Sequence, residues 1–178
     1  MTGIKATVFN AVGYEVVWFI LIIGSGWGVI GFPVLVLVPF LLLHGWLMKP
    51  CAAEWRFLGL AGIYGFLLDT LLGLAGVMQY GSAAPFPWMC PAWLVAVWVS
   101  FAATFYHSLS VLDHKPFIAM CVGLIGGPLA YYGGAKISGG QIILPEAPLI
   151  SLVVLAIVWG ITVPLLFKIK QSTTPRPL

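Results

Sequence analysis

Apolar residues along this chain neither alternate nor recur only every three or four positions. They fill runs of about 20 residues on every face, interrupted by short groups of Gly, Pro, Ser and charged side chains. A helix needs about 20 apolar residues to cross a bilayer, whereas a membrane β-strand is about ten residues of alternating polarity. The pattern therefore predicts spanning helices near residues 6–26, 30–48, 55–78, 92–112, 117–136 and 148–167. The breaks carry Gly24, Ser25, Gly26 and Gly28, then Lys49 and Pro50, then a Gly/Ser/Ala/Pro-rich stretch after Met78. Asp113 to Pro116, then Ser138 to Gly140, close the fourth and fifth runs, and a polar tail with Pro175 and Pro177 follows the sixth. The first two runs share so short a link that they must form an antiparallel hairpin. The expected fold is all-α, a single polytopic bundle over residues 1–178 with about six transmembrane helices.

Composition sharpens this. Of 178 residues 61% are hydrophobic and 7% charged, against about 25% charged in a soluble domain. A soluble chain this apolar would have nothing to cover its surface with. The N-terminal run has Glu15 at its middle and no small-x-small cleavage pattern, so it reads as a permanent helix and not as a signal peptide. With six spans, Lys5, Lys49, Arg56, Lys115, Lys168, Lys170 and Arg176 fall on one side, and Lys136 alone on the other. The positive-inside rule then places both termini in the cytoplasm of a bacterial inner membrane. The basic residues are scattered, which excludes a nucleic-acid face. Cys51, Cys90 and Cys121 lie in three different segments and read as packing residues. Tyr80, Phe86, Trp88 and Trp93 mark an outer interfacial loop, with a ligand lid as its alternative role.

Ionisable groups inside lipid are candidates for function because each costs about 2.5–3.5 kcal/mol at a helix centre. Asp69 is foremost. Gly59, Gly62, Gly65, Gly73 and Gly76 lie at helical spacing around it, a close-packing seam in which Gly62, Gly65 and Gly73 are the principal contacts. Glu15 lies at mid-depth of the first span, on a face shared with Asn10, Tyr14 and Trp18; whether it meets Asp69 is open. Gly123, Gly127, Ala130 and Gly134 draw a second packing face on the fifth span, beside Pro128, Tyr131, Tyr132 and Lys136. Tyr131 and Lys136 join Asp69, Glu15 and His107 as candidates for a ligand or proton site, and Lys136 is a possible partner of Asp69. In the fourth span Ser100, Thr104, His107 and Val111 form a mostly polar stripe. His44 lies at a depth similar to that of His107, and the two are the only pair that could ligate a metal or haem; no cofactor is favoured. The sixth span carries no charge and reads as peripheral.

Three stretches carry a family resemblance: Asp69 in its glycine-rich span, the run Trp98, Phe101, Thr104, His107, Ser108 and Leu109, and the segment Gly126 to Lys136. On these the chain resembles a family of small bacterial inner-membrane proteins defined by a domain of unknown function, DUF2878. The resemblance implies fold and location, with no established activity. Tyr106 and Ala130 stand where the family often has asparagine and serine. Family members are encoded near lipid-modifying enzymes, which points toward fatty-acid or envelope metabolism. Three functions are therefore expected in order: an accessory or assembly subunit of a membrane complex, a solute- or lipid-binding carrier component, and a lipid-modifying enzyme. The expected partners are membrane lipids and other membrane subunits or a second copy.

Overall fold

A computed structural model of the protein describes residues 3–29 and 31–173. The predicted start of the second span at Ile30, and Arg176, Pro175 and Pro177, lie outside the described residues. Six helices make up the described chain: α1 (Ile4–Gly24), α2 (Phe32–Met48), α3 (Ala52–Leu74), α4 (Ala92–Ala102), α5 (Pro116–Ile137) and α6 (Leu149–Thr173). Two short strands, β1 (Gln79–Tyr80) and β2 (Ile142–Ile143), pair antiparallel. Among the described residues α1, α3, α5 and α6 are long and apolar enough to cross a membrane, while α2 and α4 are shorter apolar helices.

Local chemistry sets the ends. α2 stops where Lys49 adopts φ 51° and sends its N–H back to the Gly45 carbonyl; Pro50 then prevents continuation. Three residues separate α2 from α3, which keeps the end of α2 beside the start of α3, where His44 meets Glu54 at 2.8 Å. α5 begins on Pro116, whose missing N–H is no loss in a first turn, and runs on through Pro128.

The fourth segment departs from the predicted continuous helix over 92–112. α4 ends at Ala102, and a 3-10 stretch over Ser108–Leu112 follows. The Ser100 and Thr104 hydroxyls donate to the carbonyls three residues back, Val97 (2.9 Å) and Phe101 (2.6 Å), which weakens a helix where they sit. Asn10 of α1 takes over the released backbone. It donates to the Ala103 carbonyl at 3.0 Å and accepts from the Ser108 N–H and hydroxyl at 3.2 and 2.7 Å. The polar stripe of the fourth segment is thus consumed in ending the helix.

α6 is not peripheral. Leu155 and Leu166 are fully buried, and Trp159 stacks on Trp98 with ring centres 4.8 Å apart. The cause is the glycine face of α5. A Cβ at Gly123 would lie 2.1 Å from the Trp159 carbonyl oxygen, and one at Gly127 2.2 Å from the Trp159 ring. Lys170, near the end of α6, is buried and pairs with Asp113 at 2.5 Å while donating to the Phe105 carbonyl at 2.8 Å.

The α3 seam is narrower than predicted. Gly62 meets Val99, Gly65 meets Trp98 and Gly73 meets the Trp88 backbone, but Gly59 and Gly76 face open space. The aromatic loop between α3 and α4 is pinned against β2 and Gln141. β1 pairs with β2, and the Gln141 amide bonds the Ala83 N–H (2.9 Å) and the Ser82 hydroxyl (3.3 Å).

Candidate functional site

Three features bring the sequence candidates together. The first is Asp69, completely buried. Trp98 Nε1 donates to Oδ2 at 2.7 Å and Tyr131 Oη to Oδ1 at 2.5 Å, and Tyr80 Oη donates to the Asp69 carbonyl at 3.1 Å. Gly65 makes this possible, because a Cβ there would lie 2.1 Å from Trp98 Cγ. Asp69 therefore ties α3 to α4 and α5 through neutral donors. Lys136 is not its partner: the ammonium lies 5.2 Å from the centre of the Tyr132 ring. Glu15 is not a partner either, since it lies on the exposed face of α1.

The second feature is a side cleft of about 350 Å³ between α1 and α5, floored by α6. Tyr14, Glu15 and Trp18 form one wall, Gly123, Gly126, Gly127 and Ala130 the other, with Phe101, Trp159 and Val163 between them. An inner hollow shares Tyr14, Trp18, Phe101, Ala130 and Trp159 with it and reaches Trp98 and Tyr131, the two donors on Asp69. The cleft exists because α1 packs on α2 and α4 and barely touches α5, while α5 is drawn onto α6 by its glycines. The wall residues lie midway along both helices, so it opens sideways and not toward either end. Glu15 makes no hydrogen bond or ion pair among the described residues.

The third feature is a cluster that joins both sequence-predicted histidines to Glu54, a residue the sequence reading passed over. His44 Nε2 lies 2.8 Å and His107 Nε2 2.9 Å from the same carboxylate oxygen, Glu54 Oε1. The three-residue link between α2 and α3 places Glu54, in the first turn of α3, against His44 near the end of α2. A carboxylate also suits a helix N-terminus, where the backbone N–H groups face it. His107 arrives from the break after α4, its carbonyl held by the Ser110 hydroxyl at 2.6 Å. His44 and Glu54 are buried, and the His107 side chain is 18% exposed. The Glu54 carboxylate lies between the two rings, whose centres are 5.2 Å apart. The available signal for Glu54 was its position ten residues after His44 across a Lys-Pro turn.

The three stretches of resemblance thus supply Asp69, Trp98, His107 and Tyr131 to these features. Residues 7–165 match the family described as "Protein of unknown function (DUF2878)". The chain belongs to this family. Among curated proteins and among solved structures, nothing matches. In this DUF2878 protein Ala130 lines the side cleft, and Tyr106 packs edge-on against Phe57 with ring centres 5.9 Å apart.

Proposed function

We propose that the protein is an inner-membrane lipid-binding component, with all six helices embedded and both termini cytoplasmic, that holds an acyl chain in the cleft between α1 and α5. The observation carrying this reading is the cleft itself. It is apolar and aromatic-walled, lies at mid-length of two helices long enough to span, and opens where lipid tails would be. Ligand sites between the helices of a bundle are typically apolar with a few placed polar groups, and Glu15 is such a group. Ionisable residues at membrane depth face interior or ligand paths because exposure to hydrocarbon is costly. The full bonding of Asp69 favours a scaffold role for that residue and leaves the binding role to the cleft. The accessory-subunit and enzyme alternatives lack a comparable feature.

Embedding of the short fourth segment is supported by its hydrogen bonds. Non-helical backbone at membrane depth is tolerated only where protein satisfies it, and Asn10 does so at Ala103 and Ser108. For the orientation, alkaline phosphatase fused within the loop after Tyr80 is expected to be active in cells, and fused after Thr173 inactive. The reverse pattern would refute the assigned sides.

The cleft is tested by filling it. A Cβ at Gly126 meets nothing within 4 Å, so Gly126→Phe projects a ring into the cleft without disturbing packing. Wild-type protein released from detergent in native mass spectrometry is expected to carry a lipid or fatty acid, and Gly126→Phe to lose at least nine-tenths of that occupancy at unchanged thermal stability. Equal lipid occupancy in the two proteins would sink the proposal.

A further inference from the structure

Beyond lipid binding, we infer that His44, Glu54 and His107 form a binding site for one divalent first-row transition-metal ion of the Zn²⁺ or Fe²⁺ type. The ligand atoms that each residue can offer lie within 4.8 Å of one another, and both imidazoles direct Nε2 at one carboxylate oxygen, at 2.8 and 2.9 Å. Zinc bonds to His nitrogen and carboxylate oxygen are about 2.0–2.2 Å long, which sets ligand atoms around one ion about 3–3.5 Å apart. The two imidazole–carboxylate distances therefore need to open by only a few tenths of an ångström to admit the ion. A metal-bound imidazole is neutral, carrying its proton on Nδ1 so that the Nε2 lone pair points at the metal.

The donor set argues for the class of ion. Two imidazoles and one carboxylate suit zinc and non-haem iron, whereas calcium and magnesium prefer all-oxygen sites. Three protein ligands also leave a coordination position open, as in catalytic and not structural zinc sites. That position is on the His107 side, because His44 and Glu54 are buried while His107 is partly exposed. The ligands come from three separate segments, and both histidines are held from outside the cluster. Phe40 stacks on His44 at 6.0 Å and Trp55 meets it edge-on at 6.2 Å. Asn10 and Ser110 anchor the backbone either side of and at His107. A carboxylate and two histidines serving only to join helices would need none of this convergence on one oxygen atom.

The experiment uses full-length protein in detergent, with any affinity tag cleaved and metal removed by chelation. Titration with Co²⁺ alone is expected to give visible d–d absorption saturating at one ion per chain, displaced by Zn²⁺. His107→Ala, the most exposed ligand and so the mildest change to the fold, and Glu54→Gln are each expected to weaken Co²⁺ binding at least a hundred-fold. Cys51→Ser, an exposed neighbour outside the cluster, should bind as wild type. If Glu54→Gln fails to elute as a single species, His107→Ala decides. The assignment is overturned if wild type shows no saturable cobalt spectrum, or if a folded His107→Ala binds Co²⁺ as tightly as wild type.

Discussion

Asp69→Ala is expected to lower the unfolding free energy of the detergent-solubilised protein by about 3–5 kcal/mol. Two buried donors, Trp98 Nε1 and Tyr131 Oη, lose their acceptors at once, and each unsatisfied buried group costs about 1–3 kcal/mol. Hydrogen bonds within membrane bundles average nearer 0.6 kcal/mol, with a maximum of about 1.7, because the unfolded chain in a bilayer finds other partners. Asp69 should fall at the upper end, since it is charge-capable, fully buried and shared by three helices. Asp69→Asn is a sharper version of the same test. The amide offers one oxygen, so one donor is satisfied and the other meets an N–H₂ group. The asparagine variant should therefore recover less than half of the loss. Tyr131→Phe removes a single bond and should cost about 1 kcal/mol. Chemical denaturation monitored by tryptophan fluorescence reads all three, and an asparagine variant as stable as wild type would show that the carboxylate is not the tie proposed here.

Gly123→Leu is expected to cost about 3 kcal/mol or more and to pull α5 away from α6. The clash is with backbone: the new Cβ would lie 2.1 Å from the Trp159 carbonyl oxygen. A side-chain tip could swing aside, but a carbonyl fixed in a helix cannot, so the whole interface must open. Overpacking a tight core typically costs about 1–3 kcal/mol, and a backbone contact belongs at or above the top of that range. Separation also unstacks Trp159 from Trp98, which loosens the donor on Asp69. Gly126→Leu, three residues on and facing open space, is the control and should be near neutral. The contrast between two glycines on one helix is measured by the same denaturation, and equal losses would mean that the packing face has been misassigned.

Much of the architecture was legible because lipid imposes a simple rule. A chain without water must satisfy its backbone internally, so runs of apolar residues about 20 long become helices. All six predicted runs contain a helix, and the boundaries agree to within about four residues for four of them, while α6 runs on to Thr173, past the predicted end at 167. The fourth run shows the limit. Its composition is as apolar as the others, but Ser100, Thr104 and Asn10 reroute its hydrogen bonds, and Asn10 lies about 90 residues away in sequence. No periodicity within the run records that partner. The misreading of α6 as peripheral has a related origin. An inward face on a membrane helix is not marked by greater apolarity, since lipid and protein interior are equally oily. Only the glycines of α5, on a different helix, imply that Trp159 must fill them.

The candidate site divides in the same way. Sequence alone singled out Asp69, His44 and His107, because ionisable groups are rare in such a chain and each must be accounted for. It also assigned the membrane class and the close-packing roles of the glycine-rich third and fifth helices. It did not decide which polar groups meet. Asp69 was open to Glu15 or Lys136, and the fold gave it Tyr131 and Trp98. His44 and His107 were two residues at one depth, and the short turn through Lys49 and Pro50 made Glu54 the oxygen that joins them. The cleft was not readable at all, because it is a gap created by two unequal helix contacts. Burial in lipid is a property of residue types and is written locally, whereas pairing and empty space are properties of distances between segments and come into being only when the helices pack.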